Sequence, residues 1–109
     1  MDAQFHFTDS NSVEWQSFEQ AKGINFKTLC TANGQTMELY QLDPNTTFPD
    51  HIHQGPEFVY VLEGSIRLDG RWIEAGWGSV GEKGTKDQDV ISGKNGCLLL
   101  SVYTESRYV

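Results

Sequence analysis

The sequence predicts an all-β fold, a barrel or sandwich of short antiparallel strands. From residue 24 onward, short runs rich in β-branched and aromatic residues alternate with turn signals, and no long helical pattern competes with them. Asn33-Gly34 and Asp69-Gly70 each separate two such runs, and both dipeptides tolerate the positive φ angles of a type I′ turn. Each dipeptide is therefore expected to close a hairpin. Further chain reversals are expected at Asp43-Pro44-Asn45, Glu63-Gly64 and Asn95-Gly96.

The length of 109 residues suits one domain and is too short for two. Hydrophobic residues make up 38% of the chain and charged residues 21%, so the chain can bury a core and does not have the composition of a disordered protein. We expect residues 21–109 to form a single β-barrel domain. Residues 1–20 carry aromatic residues without a clean period, and we expect them to form an arm that packs against the barrel or a second subunit.

The charge balance disfavours two classes of partner. The chain has 15 acidic and 8 basic residues and a formal charge of −7, which would repel nucleic-acid phosphates and anionic lipid headgroups at long range. The N-terminus has no basic segment leading into an apolar stretch, and the longest apolar runs are far shorter than a bilayer span. We therefore expect a cytoplasmic protein that binds neither nucleic acid nor membrane.

The two cysteines, Cys30 and Cys97, lie far apart in the sequence, and neither has other soft ligands at zinc-finger spacing. We expect both to be reduced packing residues. Cys97 precedes three consecutive leucines, which predicts a buried position on a core strand. A disulfide or a reactive thiol is the alternative.

Two of the three histidines, His51 and His53, are separated by a single residue. In an extended strand they share one face. A turn at residues 54–56 would then return the chain, so that Glu57 opens the next strand. Two imidazoles and a carboxylate are donors that Fe²⁺, Zn²⁺, Mn²⁺, Ni²⁺ or Cu²⁺ accepts, and this set leaves coordination positions open for substrate and dioxygen. The alternatives are a solvated surface pair beside a salt bridge, or a Glu57 that only orients a histidine through its other ring nitrogen.

The spacing His51-x-His53-x₃-Glu57-x₆-Gly64 resembles the first motif of the cupins, the RmlC-like superfamily, at every defining position. The resemblance covers roughly residues 24–103. It implies a double-stranded β-helix, a jelly-roll-like barrel of two antiparallel sheets, commonly homodimeric, with a divalent metal inside the wide mouth. Residues 55–64 and Gly96-Cys97 are most similar to the cupin domain of the ChrR anti-sigma factors and to the acetylacetone dioxygenase group.

One position departs from the cupin pattern. The second cupin motif normally supplies another histidine, and this chain has none after His53. Counted from Gly84-Thr85, the corresponding position falls on Asp87, with Gln88 and Asp89 beside it. The fourth ligand is therefore Asp87, a neighbour, a water or absent. His6, between two phenylalanines of the N-terminal arm, is expected at the surface or an interface.

Other side chains suggest contacts beyond the motif. Trp72 and Trp77 would build a homodimer surface together with the N-terminal aromatic residues, or would cap the barrel. Lys83 and Lys86, in a charged loop, would either clamp an anionic substrate or remain ordinary solvated charges. From Glu57 onward, alternate residues of the strand should line the barrel, and those between them should pack elsewhere.

These features lead to three hypotheses of function. The first is a metal-dependent dioxygenase, or a related enzyme, acting on a small chelating substrate of the dicarbonyl type. The second is a ligand-sensing regulatory module of the ChrR type that works through a partner protein. The third is a metal-free barrel that binds or isomerises a small molecule, which the missing histidine of the second motif favours. The sequence identifies neither the substrate nor the metal.

Overall fold

The computed structural model describes residues 3–104 and 106–108, and the regular secondary structure of this part of the chain is almost entirely β-strand. A short 3₁₀ turn, Ser10–Ser12, precedes them. The strands are Gln16–Ser17 (β1), Ile24–Ala32 (β2), Gln35–Leu42 (β3), His51–His53 (β4), Glu57–Leu68 (β5), Arg71–Glu74 (β6), Gly78–Gly81 (β7), Lys86–Asp87 (β8), Ile91–Thr104 (β9) and Ser106–Tyr108 (β10). Among the described residues, no helix is long and apolar enough to span a bilayer.

The strands form two antiparallel sheets, which confirms the predicted fold class. The larger sheet has the order β1-β2-β3-β9-β5-β6, and β7 also pairs with β5. The smaller sheet has the order β10-β4-β8. Neighbours in the larger sheet are often distant in sequence, as where β3 pairs with β9 and β9 with β5. This arrangement brings together β4 with His51 and His53, β5 with Glu57, β8 with Asp87, and β9.

The hairpin turns lie where the sequence predicts them. Asn33 and Gly34 have φ angles of 51° and 78°, and they join β2 to β3. Asp69 and Gly70, at 50° and 73°, join β5 to β6. Positive φ at both central positions is the conformation a type I′ turn requires. A reversal after β3 also occurs as expected, with Asn45 at a φ of 53°.

The reversals predicted at Glu63-Gly64 and Asn95-Gly96 are wrong. Both dipeptides lie inside long strands, β5 and β9, which continue past them. Gly64 and Gly96 have φ angles of 76° and 78°, and the register of the two strands shifts around Gly64. A Cβ on Gly64 would collide with the carbonyl oxygen of Gly96. The glycines therefore serve a β-bulge, which needs the same left-handed backbone as a turn but bends the strand instead of ending it.

The core fills the space enclosed by the sheets. Its buried members are Phe18, Ile24, Tyr40, Leu42, Val61, Ile66, Ile73, Val90, Cys97 and Leu99. Phe18 brings the N-terminal segment onto the barrel, with its ring 5.2 Å from that of Phe48 and 6.1 Å from that of Tyr40. Cys97 is buried as predicted, and burial raises the pKa of its thiol to about 11, which keeps it protonated and unreactive. Cys30 is partly buried, and neither cysteine forms a disulfide within the described part of the chain.

Candidate metal centre

The His-x-His pair lies on β4 with both imidazoles turned inward. His51 and His53 are each 3% exposed, whereas Ile52 between them is 36% exposed. This alternation follows from the pleat of a strand and agrees with the predicted shared face. β4 pairs with β8 so that His51 lies opposite Asp87. Glu57 opens β5 directly after the turn that follows β4.

The structure brings together all four residues that the sequence singled out as metal ligands. One donor atom from each of His51, His53, Glu57 and Asp87 lies within 4.8 Å of every other. The Nε2 atom of His53 is 2.7 Å from Glu57 Oε1 and 3.4 Å from Asp87 Oδ2. The Nε2 atom of His51 is 3.6 Å from Glu57 Oε1 and 3.1 Å from Asp87 Oδ2. The acidic side chain of β8 therefore occupies the place where the cupin pattern led us to expect a fourth donor.

These separations fit donors that share one ion. Two donors each about 2.1 Å from a metal lie about 3.0 Å apart when cis and about 4.2 Å apart when trans. The four nitrogen-to-oxygen distances, from 2.7 to 3.6 Å, cluster around the cis value. Imidazole nitrogens with carboxylate oxygens are the donor set of Fe²⁺, Mn²⁺, Zn²⁺ and Ni²⁺ sites. The cluster therefore fits a single divalent metal ion.

Hydrogen bonds at the far side of each ring decide which nitrogen faces the cluster. His51 Nδ1 is 3.1 Å from the carbonyl oxygen of Pro49, which can only accept, so Nδ1 carries the proton. Thr85 Oγ1 donates to the carbonyl oxygen of Glu82 at 2.7 Å and so accepts from His53 Nδ1, also at 2.7 Å. In both neutral rings the lone pair is therefore on Nε2, the nitrogen that points at the carboxylates.

With both imidazoles neutral, the cluster has no donor between the Nε2 atoms and the carboxylate oxygens. Two nitrogen lone pairs face carboxylate oxygens, which are acceptors as well, and a cation between them is needed to turn repulsion into attraction. His53 Nε2 is buried and, among the described residues, has no hydrogen-bond partner despite its short distance from Glu57. A buried polar atom without a partner is costly. Either a proton or a metal ion would satisfy it.

A second buried carboxylate shows how this protein satisfies an acid without a metal. Glu38, 5% exposed, accepts hydrogen bonds from three hydroxyl groups. Tyr40 and Tyr103 donate to its Oε1 at 2.7 and 2.8 Å, and Thr28 donates to its Oε2 at 2.6 Å. Glu57, by contrast, has one hydroxyl donor, Ser101, at 2.8 Å from Oε2, and its Oε1 is directed at the two histidines. Glu57 Oε1 is therefore left facing the two histidines, where it can bind a cation.

The four groups shift one another's protonation. Burial by itself would lower the pKa of His51, but Glu57, the Pro49 carbonyl and Asp87 outweigh it and raise that pKa. Glu57 is also the main cause that raises the pKa of His53. Burial acts to raise the pKa of Glu57, yet the histidines and Ser101 lower it to about 2. Burial, and then the charge of Glu57, raise the pKa of Asp87. Protons and a metal therefore compete for the same atoms.

A cavity opens beside the cluster. It has a volume of about 480 Å³, and His53, Glu57 and Asp87 form part of its wall. Most of the rest comes from β7, from the hairpin of β5 and β6 with Ile73, and from Trp77, which directly precedes β7. A space of this size suits a small organic ligand. The candidate metal ligands therefore face a cavity that a small molecule can enter.

Sequence reasoning missed several residues that build this site. Thr85 and Ser101 orient His53 and Glu57, and Arg71 lines the cavity. Gly81 is needed because a Cβ there would lie 2.8 Å from the His53 ring. The local sequence around these residues contains no motif that indicates these roles. Of the other residues considered, Gln88 and Asp89 are exposed and outside the cluster, and His6 is exposed as expected.

Comparisons with known proteins agree with this architecture. A family model described as the ChrR cupin-like domain matches residues 3–106. Acireductone dioxygenase of Danio rerio is 32% identical over 68 residues, which are 58% of this chain and 38% of that protein. The chain therefore spans little more than a third of the length of this curated relative.

Two solved structures have the same fold at low sequence identity. A candidate acetylacetone dioxygenase of Methylibium petroleiphilum superposes with a TM-score of 0.91 at 15% identity, over 100% of this chain and 83% of that one. The anti-sigma factor ChrR of Rhodobacter sphaeroides, in complex with SigE, superposes with a TM-score of 0.72 at 21% identity, over 85% of this chain and 49% of that one. The fold is thus the predicted cupin double-stranded β-helix. Because the family model covers nearly the whole chain, this protein belongs to the ChrR cupin-like domain family.

Proposed function

We propose that this protein binds one divalent metal ion through His51, His53, Glu57 and Asp87, and that it is a dioxygenase acting on a small chelating substrate of the β-dicarbonyl type. The observation that carries the proposal is the pair of buried imidazoles whose Nε2 lone pairs face two carboxylates. A single divalent ion would bind both imidazoles and both carboxylates at once. The adjoining cavity gives a chelating substrate access to the same point.

The relatives support the type of substrate. By their names, one relative is a dioxygenase of acireductone and another is a candidate dioxygenase of acetylacetone, which is a β-diketone. A bound divalent ion would polarise the carbonyl oxygens of such a substrate, and Fe²⁺ would in addition supply the redox chemistry that dioxygen requires. We propose Fe²⁺ as the metal of the active enzyme.

The protein's own side chains would contribute positioning and exclusion of water. Pro49 and Thr85 fix the two imidazoles in the tautomer that can bind a cation. Ser101, 1% exposed, donates to Glu57 Oε2 at 2.8 Å and leaves Glu57 Oε1 facing the two histidines. The apolar walls of the cavity, among them Val59 and Ile73, would exclude water from the reacting atoms.

Metal analysis followed by oxygen uptake tests the proposal. Protein purified without a histidine tag is expected to hold about one divalent ion per chain, and Fe²⁺-loaded protein to consume oxygen with a panel of β-diketones. His51→Ala should abolish both. His6→Ala is the matched control, because it removes the exposed histidine outside the cluster, and it should change neither. Metal content equal in His51→Ala and wild type would refute the assignment.

A regulatory module is the second candidate, favoured by the family match and by the likeness to ChrR. Such a module would bind the metal and a ligand without turnover, and it would pass the signal to a partner protein. The distinguishing result is binding of a β-diketone to the metal-loaded protein with no oxygen uptake. Loss of metal binding in His51→Ala is expected under both candidates.

We also propose a homodimer that forms through the outer face of β5 and β7. Phe58, Tyr60, Leu62 and Val80 on this face are 53%, 46%, 40% and 51% exposed. An apolar patch of this kind on a soluble protein is typical of an interaction site, and a second copy offers the same apolar surface. Phe58→Glu should shift the sedimenting mass from two chains to one. The cytoplasmic location stays a prediction.

A further inference from the structure

Two basic residues line the cavity beside the candidate metal ligands. Arg71, at the start of β6, and Lys86, on β8, both line it. Among the described residues every ion pair joins His51 or His53 to an acid of the cluster, so neither of these two cations has a carboxylate within 4.0 Å. Two cations without carboxylate partners in a cavity of a chain with a net charge of −7 need an explanation.

Arg71 is positioned rather than merely exposed. Its guanidinium carbon lies 5.3 Å from the centre of the Trp77 ring, a distance that gives a cation–π contact. Trp77 is itself part of the cavity wall. This contact holds the guanidinium group at the wall of the cavity. A planar fork of donors suits a carboxylate or another oxyanion.

The charges in the cavity add up in favour of an anion. Two carboxylates of the cluster, Glu57 and Asp87, would be neutralised by a divalent ion. Of the other charged residues that line the cavity, Arg71 and Lys86 are positive and Asp69 is negative, which leaves an excess of one positive charge. Lys83, which the sequence also suggested as a clamp, is not among the described residues that line this cavity.

We propose that the substrate carries an anionic group, a carboxylate in the simplest case, which Arg71 binds while the chelating oxygens of the substrate face His51, His53, Glu57 and Asp87. The inference rests on the proposed chelation at that site and narrows its substrate class from β-dicarbonyls to those with an acidic substituent. Lys86 adds to the attraction at longer range.

Calorimetry on metal-loaded protein tests this inference with two probes that share a β-diketone and differ in whether a remote carboxylate is free. The probes are 4,6-dioxoheptanoate and its methyl ester, titrated without oxygen so that no turnover occurs. Both offer the same two ketone oxygens for chelation, and in the acid two methylene groups separate these from the free carboxylate. Wild-type protein is expected to bind the acid about fivefold more tightly than the ester, since the contact is partly solvated. Added salt should reduce this preference.

Matched variants separate a specific contact from a general loss of charge. Arg71→Gln should remove the preference by weakening binding of the acid alone, and Arg71→Lys should restore part of it. Arg67→Gln is the control, because Arg67 also lies over a tryptophan, 5.9 Å from the ring of Trp72, but does not line the cavity. This variant should keep the preference.

The outcomes distinguish this inference from the proposal on which it rests. Equal affinity of wild-type protein for acid and ester would overturn the inference and leave chelation at the metal standing. Equal losses in Arg71→Gln and Arg67→Gln would overturn it as well, because the effect would then be one of net charge. Failure of both probes to bind protein with a full complement of metal would overturn the chelation proposal itself.

Discussion

Replacement of Thr85 by valine isolates the contribution of ring orientation to metal binding. Valine has the shape of threonine but removes the hydroxyl that accepts from His53 Nδ1 at 2.7 Å. The same hydroxyl donates to the Glu82 carbonyl at 2.7 Å, so the variant loses both bonds. Without this acceptor, the imidazole of His53 is free to change tautomer or to turn its lone pair away from the cluster.

The expected effect follows from the behaviour of partners behind metal-bound histidines. Their removal typically weakens metal affinity by about 10–100-fold, which corresponds to about 1.4–2.7 kcal/mol. Competition against a chromophoric chelator, with Zn²⁺ as the probe, measures this loss directly. Thr85→Ser keeps the hydroxyl and should retain most of the affinity. Thr31→Val, on an exposed position of β2, is the control for the substitution itself.

An unchanged zinc affinity in Thr85→Val would refute the reasoning, provided that the variant melts within a few degrees of wild type. It would mean that the hydroxyl does not select the tautomer of His53, and that the buried Nε2 atom is not prepared for a cation. A loss of equal size in Thr31→Val would also contradict it, because the effect would then not depend on the contact with the imidazole.

Three further changes test the site. Gly81→Ala should weaken metal binding, since its Cβ would lie 2.8 Å from the His53 ring; unaltered zinc affinity would contradict this. Asp87→Ala should lower metal occupancy less than His51→Ala, and complete loss would show that Asp87 is as important as the histidines. In metal-free protein the raised pKa values of His51 and His53 stabilise the folded state below about pH 6.5, and this stabilisation is lost as the pH rises. The lowered pKa of Glu57 stabilises the folded state above about pH 4.5, and this stabilisation is lost as the pH falls towards 2. The melting temperature of protein kept metal-free by a chelator should therefore fall from pH 6 to 8, whereas the metal affinity should rise over the same range. A melting temperature and a metal affinity that change in the same direction with pH would refute this.

The sequence was sufficient for features that depend on near neighbours. Alternation around Ile52 predicts that His51 and His53 share a face, and the positive φ tolerance of Asn33-Gly34 predicts a hairpin. Gly64 and Gly96 show the limit of local reasoning, because the same backbone conformation serves a turn and a bulge. Whether the chain reverses or merely bends depends on the partner strand, which local sequence does not specify.

The groups that complete the site come from distant parts of the chain. Thr85 is 32 residues from His53, and Ser101 is 44 residues from Glu57. Their roles arise only when the sheets place β8 and β9 against the cluster. Asp87 was reached from the spacing of the motif and is brought to His51 by the register of β4 with β8. Arg71 had no such motif, and only the cavity identifies it.

Anomalous scattering from a crystal grown with a divalent transition metal tests the central claim most directly. The account predicts one strong peak per chain, about 2.0–2.2 Å from the Nε2 atoms of His51 and His53 and from a carboxylate oxygen of Glu57. Asp87 would complete the protein ligands. A structure with no peak among these side chains, or with the ion bound elsewhere, would contradict the account.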